Sequence, residues 1–222
     1  MRDTSVLNLA SLGAQDLPTR MLTPSERFAR AAFALQVLAV VLLLSLHGLK
    51  ADYDIRSYMI SDYSVGPWGW VMRTMFFVWG ASVLGLALSL LTRERAPWHR
   101  QLGAALLAVT SVGMVVSGIY NTDLPGTPDT HEGYIHYLSF LVNVFSLIVS
   151  IPLISLGLRG ATWRGIRTAA LSLAVLVLLT FGLQFATLHK GMPYGVTNRI
   201  FAAALFAWMM TLASYLRRAP AQ

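Results

Sequence analysis

The chain has 222 residues, of which 55% are hydrophobic and only 12% are charged, and its mean hydropathy is +0.58. Soluble domains carry about 25% charged residues, so this composition excludes an ordinary soluble domain and a disordered chain. The absence of cysteine excludes disulfides, thiolate metal sites and cysteine nucleophiles. The net charge of +7 would suit a nucleic-acid-binding protein, but the positions of the charges indicate a different origin.

Six long, apolar stretches follow one another along the chain. A transmembrane helix needs about 17–25 mostly apolar residues, and a charge near the bilayer centre costs about 2.5–3.5 kcal/mol. The sequence therefore predicts an all-α polytopic membrane protein, a six-transmembrane-helix bundle. The predicted membrane domain is residues 27–216, between an N-terminal segment 1–26 and a tail 217–222, with spans at residues 28–49, 70–92, 101–120, 134–158, 168–189 and 196–216.

The first span starts with Thr23-Pro24-Ser25-Glu26. Thr23 is a suitable N-cap, proline is favoured at the first helical position, and Glu26 can complete a capping box. This pattern predicts that the first helix begins at Pro24.

The charges of the connecting segments alternate along the chain. Both termini and the loops after the second and fourth spans together hold twelve basic and four acidic residues, whereas the other three loops hold four basic and six acidic residues. Lysine and arginine collect on the cytoplasmic side of membrane proteins. The sequence therefore predicts cytoplasmic N and C termini, and the basicity does not indicate a nucleic-acid partner.

The three outer loops hold most of the side chains that could carry chemistry. Packed helices lie about 8–10 Å apart, so a compact bundle brings its loops close together. Placing a polar side chain within the bilayer costs free energy, so such residues indicate function. Solvent-exposed loops, however, carry polar residues that have no functional role. The candidates for an acid–base or metal cluster are Asp62, Asp123, His131 and His136. The candidates for ligand binding are Ser61, Asn121, His189, Asn198 and Arg199.

The positions of the histidines and aspartates leave two cofactors open, zinc and haem. Zinc could bind His131, His136 and His189 together with an aspartate from separate helices. His131 and His136 are five residues apart, so they do not form the i, i+4 pair of a zinc-protease helix. Haem could use His47, His136 and His189, but these lie nearer the span ends than the deeply buried ligands of four-helix cytochromes. No cofactor is required by the sequence.

Three short motifs carry a family resemblance. They are Ile60-Ser61-Asp62 before a Gly/Pro-rich turn, Asn121-Thr122-Asp123 followed by His131 and His136, and Gly195-x-x-Asn198-Arg199 with Trp208 beyond it. Together they resemble a bacterial six-span membrane family known as domain of unknown function 998, which is distantly similar to the Frag1/DRAM/Sfk1 group. The resemblance implies an outer polar site at Ser61, Asp62, Asp123, His131, His136 and Arg199. The eukaryotic group includes proteins tied to lipid-anchor remodelling and lipid organisation, which favours a lipid as partner.

Two functions from different classes follow. In the first, the protein binds or modifies a lipid or another amphiphile: Arg199 engages a phosphate or carboxylate head group, and His131 or His136 moves a proton, oriented by Asp62 or Asp123. In the second, the protein is a structural or assembly subunit, as a homo-oligomer or with a partner membrane protein, and the loops only lock the helices together. A transporter is disfavoured because paired, broken spans are missing from the pattern.

Overall fold

The computed structural model describes residues 21–93, 96–189 and 192–218. Within these ranges the chain forms six long helices, two short 3-10 turns and no strands. The helices are α1 (Pro24–Leu49), α2 (Gly69–Leu91), α3 (Trp98–Ile119), α4 (His131–Gly157), α5 (Arg164–Ala186) and α6 (Tyr194–Leu216). All six are long and apolar enough to cross a membrane, which confirms the predicted all-α, multi-pass architecture.

The helices begin one to four residues before the predicted spans, and at α1 and α4 a side-chain cap lies at the extended start. The capping box at the start of α1 is confirmed: Thr23 accepts a hydrogen bond from the Glu26 amide, and Glu26 accepts one from the Thr23 amide. Thr130 likewise caps α4, which therefore begins at His131 rather than at residue 134. Most of the predicted N-terminal segment (residues 1–20) and tail (residues 219–222) lies outside the described residues.

Successive helices pack as neighbours, and α6 returns to contact α1, so the bundle closes into a ring. Aromatic side chains fill its interior: Trp79 of α2 stacks on Phe206 of α6 with ring centroids 4.4 Å apart. Trp208, which is 1% exposed, donates an indole hydrogen bond of 3.0 Å to Ser155 of α4. The ring is thereby tied across its centre as well as around its circumference.

Small and hydroxyl residues join the helices at close range. Ser150 of α4 donates a 2.7 Å hydrogen bond to the Gly103 carbonyl of α3, and Ser117 and Ser139 are bonded at 2.7 Å on the same pair of helices. Small residues let membrane helices approach closely, and hydroxyls can bond across the interface. These hydrogen bonds therefore fix the two ends of the loop that connects α3 to α4 relative to each other.

The two ends of the bundle differ in charge. The segments 50–68, 120–130, 187–189 and 192–193 lie at one end, which we name the acidic end. The described residues of the loops after α2 and α4 and the arginines that follow α6 lie at the opposite end, which we name the basic end.

Candidate functional site

The first loop of the acidic end (residues 50–68) is fixed to the start of α6. The Asn198 side chain accepts a 2.9 Å hydrogen bond from the Ile60 amide, and the Gly195 amide donates one of 3.0 Å to the Arg56 carbonyl. A Cβ at Gly195 would overlap the carbonyl oxygens of Ile55 and Tyr58, so glycine is required for this close approach. The Gly195-x-x-Asn198-Arg199 motif is thus explained as a docking surface for the first loop.

Arg199 is fully engaged in the same attachment. Its Nη1 donates to the carbonyls of Tyr58 at 2.8 Å and Ile55 at 3.2 Å, and its Nη2 donates to the Tyr63 hydroxyl at 2.8 Å. Its Nε donates to His47 Nε2 at 2.9 Å. Arg199 therefore joins α1, the first loop and α6, and its donors are directed at the protein rather than at a ligand.

Lys50, a buried cation at the start of this loop, also has partners within the protein. It is 3% exposed, its ammonium group donates to the Val65 carbonyl, and it lies 4.2 Å above the Tyr53 ring. Burial lowers the pKa of Lys50, and the charges of Asp52 and Asp62 partly offset that effect. We name the group formed by His47, Lys50, Tyr63, Asn198 and Arg199 the loop clamp.

Asp62 lies beside the loop clamp in the 3-10 turn Ser61–Ser64 and is only 4% exposed. Its Oδ2 accepts a 2.7 Å hydrogen bond from the Met59 amide. Burial raises the pKa of Asp62 to about 6, although the Met59 hydrogen bond and the charges of Arg199 and Lys50 act in the opposite direction. A carboxyl group that titrates this close to neutrality can both donate and accept a proton.

Asp123 organises the second loop. Its two carboxylate oxygens accept hydrogen bonds of 2.8 Å from the amide and the hydroxyl of Thr130. The Thr130 hydroxyl in turn accepts a 3.0 Å hydrogen bond from the Gly133 amide, and a Cβ at Gly133 would overlap the Asp123 carboxylate. Asp123 thus fixes the start of α4 and the orientation of the side chains that follow.

His136 is one turn further along α4 and is 4% exposed. Its Nδ1 is 2.8 Å from the Tyr120 carbonyl, and its ring packs edge-on against Phe76. Because a carbonyl oxygen only accepts hydrogen bonds, Nδ1 must carry the proton in the neutral ring, and Nε2 is then the acceptor nitrogen. The imidazole is held in one tautomer and one orientation.

Asp62, Asp123 and His136 line a common cavity of about 1170 Å³ at the acidic end. The cavity lies between the three loops and also includes Ser61 and His189, so five of the nine predicted site residues are brought together. Its full lining is Asp54, Arg56, Ser57, Met59, Ser61, Asp62, Thr122, Asp123, Pro125, Gly126, His136, Tyr137, Phe140, Leu188, His189, Met192, Pro193 and Tyr194. We name it the outer cavity.

The other four predicted residues are not in this lining. Asn198 and Arg199 belong to the loop clamp, and His131 is an exposed residue at the start of α4. Asn121 is half-buried, and its Oδ1 has no hydrogen-bond partner within the described part of the chain. The structure therefore separates two groups of polar residues that the sequence places in one cluster.

The described residues bear on the zinc alternative and on one of the three predicted haem ligands, His47. Among the described residues, no group of three His, Asp or Glu side chains is placed to hold a metal ion. Both nitrogens of His47 are occupied, since Nδ1 bonds the Leu43 carbonyl and Nε2 accepts from Arg199. His47 is therefore unavailable as a haem ligand.

The apolar side of the outer cavity is absent from the sequence prediction, which considered polar residues alone. Tyr137 and Phe140 follow His136 directly and at the i+4 position of α4, and Leu188 and Met192 flank His189 in the third loop. The i, i+4 spacing from His136 was the available signal for Phe140, because such residues share a helix face.

The chain was compared with known proteins. The sequence model of the family described as "Protein of unknown function (DUF998)" matches residues 24–215, which include all six helices apart from the last residue of α6. No curated protein and no solved structure matches the chain. The chain therefore belongs to the DUF998 family of membrane proteins of unknown function.

Proposed function

We propose that this protein binds an amphiphile in the outer cavity, with the acidic end on the outer face of a bacterial inner membrane. The observation that carries the proposal is a single cavity that joins a buried carboxyl group and a buried imidazole to an apolar wall. The orientation is supported by the arginines of the basic end, which the positive-inside rule places in the cytoplasm.

The lining of the outer cavity has two parts. Ser61, Asp62 and His136 form a polar part, whereas Phe140, Leu188 and Met192 form an apolar part. Ligand pockets are usually lined by apolar side chains with a few polar groups that fix orientation. A molecule with a polar head group and a hydrocarbon tail matches both parts of the lining, as the lipid partner expected from the family resemblance would.

The charges favour a head group that donates hydrogen bonds. Among the described residues, the lining includes three carboxyl groups, on Asp54, Asp62 and Asp123, and one lysine or arginine, Arg56. The cation that was predicted to engage a phosphate, Arg199, is occupied by the loop clamp. We therefore propose an amine or polyol head group and no longer assign phosphate binding to Arg199.

The cavity also supports proton transfer, should the bound molecule be modified. Asp62 has a pKa near 6, so at neutral pH it is mostly ionised and accepts a proton readily. His136 offers Nε2 as a second acceptor while its Nδ1 remains bonded to the Tyr120 carbonyl. These two residues are the acid–base candidates, and Asp123 positions α4.

Binding can be tested with two single-chain amphiphiles that share a tail and differ in head group, dodecylamine and dodecyl phosphate. The purified protein would be titrated with each one, and complexes would be counted by native mass spectrometry. We expect Asp62→Asn to weaken dodecylamine binding at least about tenfold, since a hydrogen bond to a charged group contributes about 1.5–3 kcal/mol. His136→Gln should also weaken it.

Matched controls are available outside the cavity lining. Asp129→Asn and His131→Gln make the same substitutions at exposed positions of the second loop and the start of α4, and both should bind dodecylamine as the wild type does. Equal binding of the two amphiphiles by the wild type, or no loss in Asp62→Asn, would contradict the proposal.

The loop clamp favours a second candidate, a structural or assembly subunit. Five hydrogen bonds from Arg199 hold loop and helices together without any ligand. This candidate predicts that clamp variants such as Arg199→Ala lower the melting temperature in detergent, and that amphiphile binding stays at a background level in the wild type and in every variant.

A further inference from the structure

A second concave surface lies at the opposite end of the bundle, between α1, α5 and α6. It has a volume of about 740 Å³. It is lined by Phe33, Gly165, Ile166, Ala169, Met210, Thr211, Ser214, Tyr215 and Arg218. A Cβ at Gly165 would meet no atom within 4 Å, so the surface is open on the α5 side. We name it the basic groove.

The polarity of the basic groove changes along α6. Arg218 lies just beyond the end of the helix, Ser214 about one turn before it, and Met210 and Thr211 about two turns before it. Residues at this spacing share a helix face. The groove thus runs from a cation at the membrane edge, past two hydroxyls, to apolar side chains nearer the membrane centre, which is the order of groups in a phospholipid.

At the cationic end of the groove, an arginine hydrogen-bond donor lacks an acceptor among the described residues. Arg218 is exposed, and the neighbouring Arg217 places its guanidinium 3.9 Å from the centre of the Phe33 ring. The Nε of Arg217 is buried and has no hydrogen-bond partner in the described part of the chain. Within the described ranges, the residues that line the groove include no aspartate or glutamate that would neutralise these charges.

We propose that the basic groove binds an anionic phospholipid. The phosphate lies at Arg217 and Arg218, the glycerol oxygens lie near Ser214 and Thr211, and one acyl chain covers Phe33 and its apolar neighbours. Basic pockets between membrane helices are suited to anionic head groups, because each nearby arginine attracts them. This site is independent of the outer cavity, whose carboxylate lining favours the opposite head-group charge.

The test uses the full-length protein in detergent and native mass spectrometry with added phosphatidylglycerol or phosphatidylcholine. The wild type should retain phosphatidylglycerol in preference to phosphatidylcholine. The double variant Arg217→Gln/Arg218→Gln should weaken phosphatidylglycerol binding by about fivefold or more for each arginine. Ala169→Trp, which fills the groove without changing charge, should weaken it as well.

The matched control is Arg27→Gln/Arg159→Gln, which removes the same charge from exposed positions of the basic end outside the groove. It should retain phosphatidylglycerol as the wild type does, and Arg217→Lys/Arg218→Lys should retain most of the binding. Equal retention of the two lipids, an equal loss in the control, or unchanged lipid binding in Ala169→Trp would overturn the proposal. Melting temperatures show whether each variant is folded.

Discussion

The loop clamp and the outer cavity lie side by side at the acidic end, and each contains buried polar residues. In the loop clamp, Arg199 directs its donors to three loop and helix carbonyls, a tyrosine hydroxyl and an imidazole. In the outer cavity, Asp62 accepts a hydrogen bond from the Met59 amide and His136 bonds the Tyr120 carbonyl, and both side chains also line open space. Contact with an open cavity, rather than residue type, distinguishes the candidate binding group from the structural group.

We expect the largest effect on stability from a variant that removes Arg199 from the loop clamp. Arg199→Ala leaves the carbonyls of Ile55 and Tyr58 and the nitrogen of His47 without their donor. Hydrogen bonds to charged groups contribute about 1.5–3 kcal/mol each, so we expect unfolding to become easier by about 3 kcal/mol or more. The measurement is thermal or denaturant unfolding in detergent.

Arg56→Ala is the matched control for this variant. The Arg56 side chain is exposed on the same loop, and substitutions at such positions change stability by about 0.5 kcal/mol or less. If Arg199→Ala were as stable as Arg56→Ala, Arg199 would not have the structural role that distinguishes the loop clamp from the outer cavity.

The next effect concerns Asp62 and pH. Its pKa is about 6 in the folded protein and about 3.8 in an exposed carboxyl group, so the folded state holds the proton more tightly. Stability from this group is complete below about pH 4 and decreases as pH rises through 6. The total change is on the order of 3 kcal/mol, since one pKa unit corresponds to about 1.36 kcal/mol.

The measurement is the melting temperature from pH 4 to pH 7 for the wild type and for Asp62→Asn. The asparagine keeps an oxygen acceptor for the Met59 amide and does not titrate, so its curve should lack the decrease. Parallel curves for the two proteins would show that Asp62 is not the group responsible.

The sequence was informative about the fold because membrane insertion depends on composition. Apolar stretches predict the six helices, and local capping chemistry at Thr23 predicts the start of α1 correctly. The other helix starts were predicted a few residues late, since an apolar stretch marks the hydrocarbon region but not the cap, as Thr130 shows for α4.

The site was predictable only in part. Asp62, Asp123 and His136 could be selected because ionisable groups at the span ends are costly and few. The engagement of Arg199 could not be anticipated, because its partners include main-chain carbonyls of Ile55 and Tyr58, which every residue type possesses. The distinction between a clamp and a cavity depends on backbone positions that only the fold defines.

The smallest expected effect concerns Asp123, which lines the outer cavity and also fixes the start of α4. Thr130→Val removes the hydroxyl that bonds Asp123 and accepts from the Gly133 amide. Loss of an N-cap costs about 1 kcal/mol, so we expect a modest decrease in melting temperature. Thr127→Val, at an exposed position of the same loop, is the control and should change stability less.

Amphiphile binding by Thr130→Val then decides which group Asp123 belongs to. If Asp123 acts through its hold on α4, His136 moves when that hold weakens, and dodecylamine binding should decrease together with the melting temperature. If Asp123 acts as a cavity carboxylate, Thr130→Val frees its Oδ1 from the hydroxyl bond while Oδ2 keeps the Thr130 amide, and binding should be unchanged or stronger while stability decreases. A lower melting temperature with unchanged or stronger dodecylamine binding would therefore place Asp123 with the outer cavity. A decrease in both quantities would place it with the structural residues.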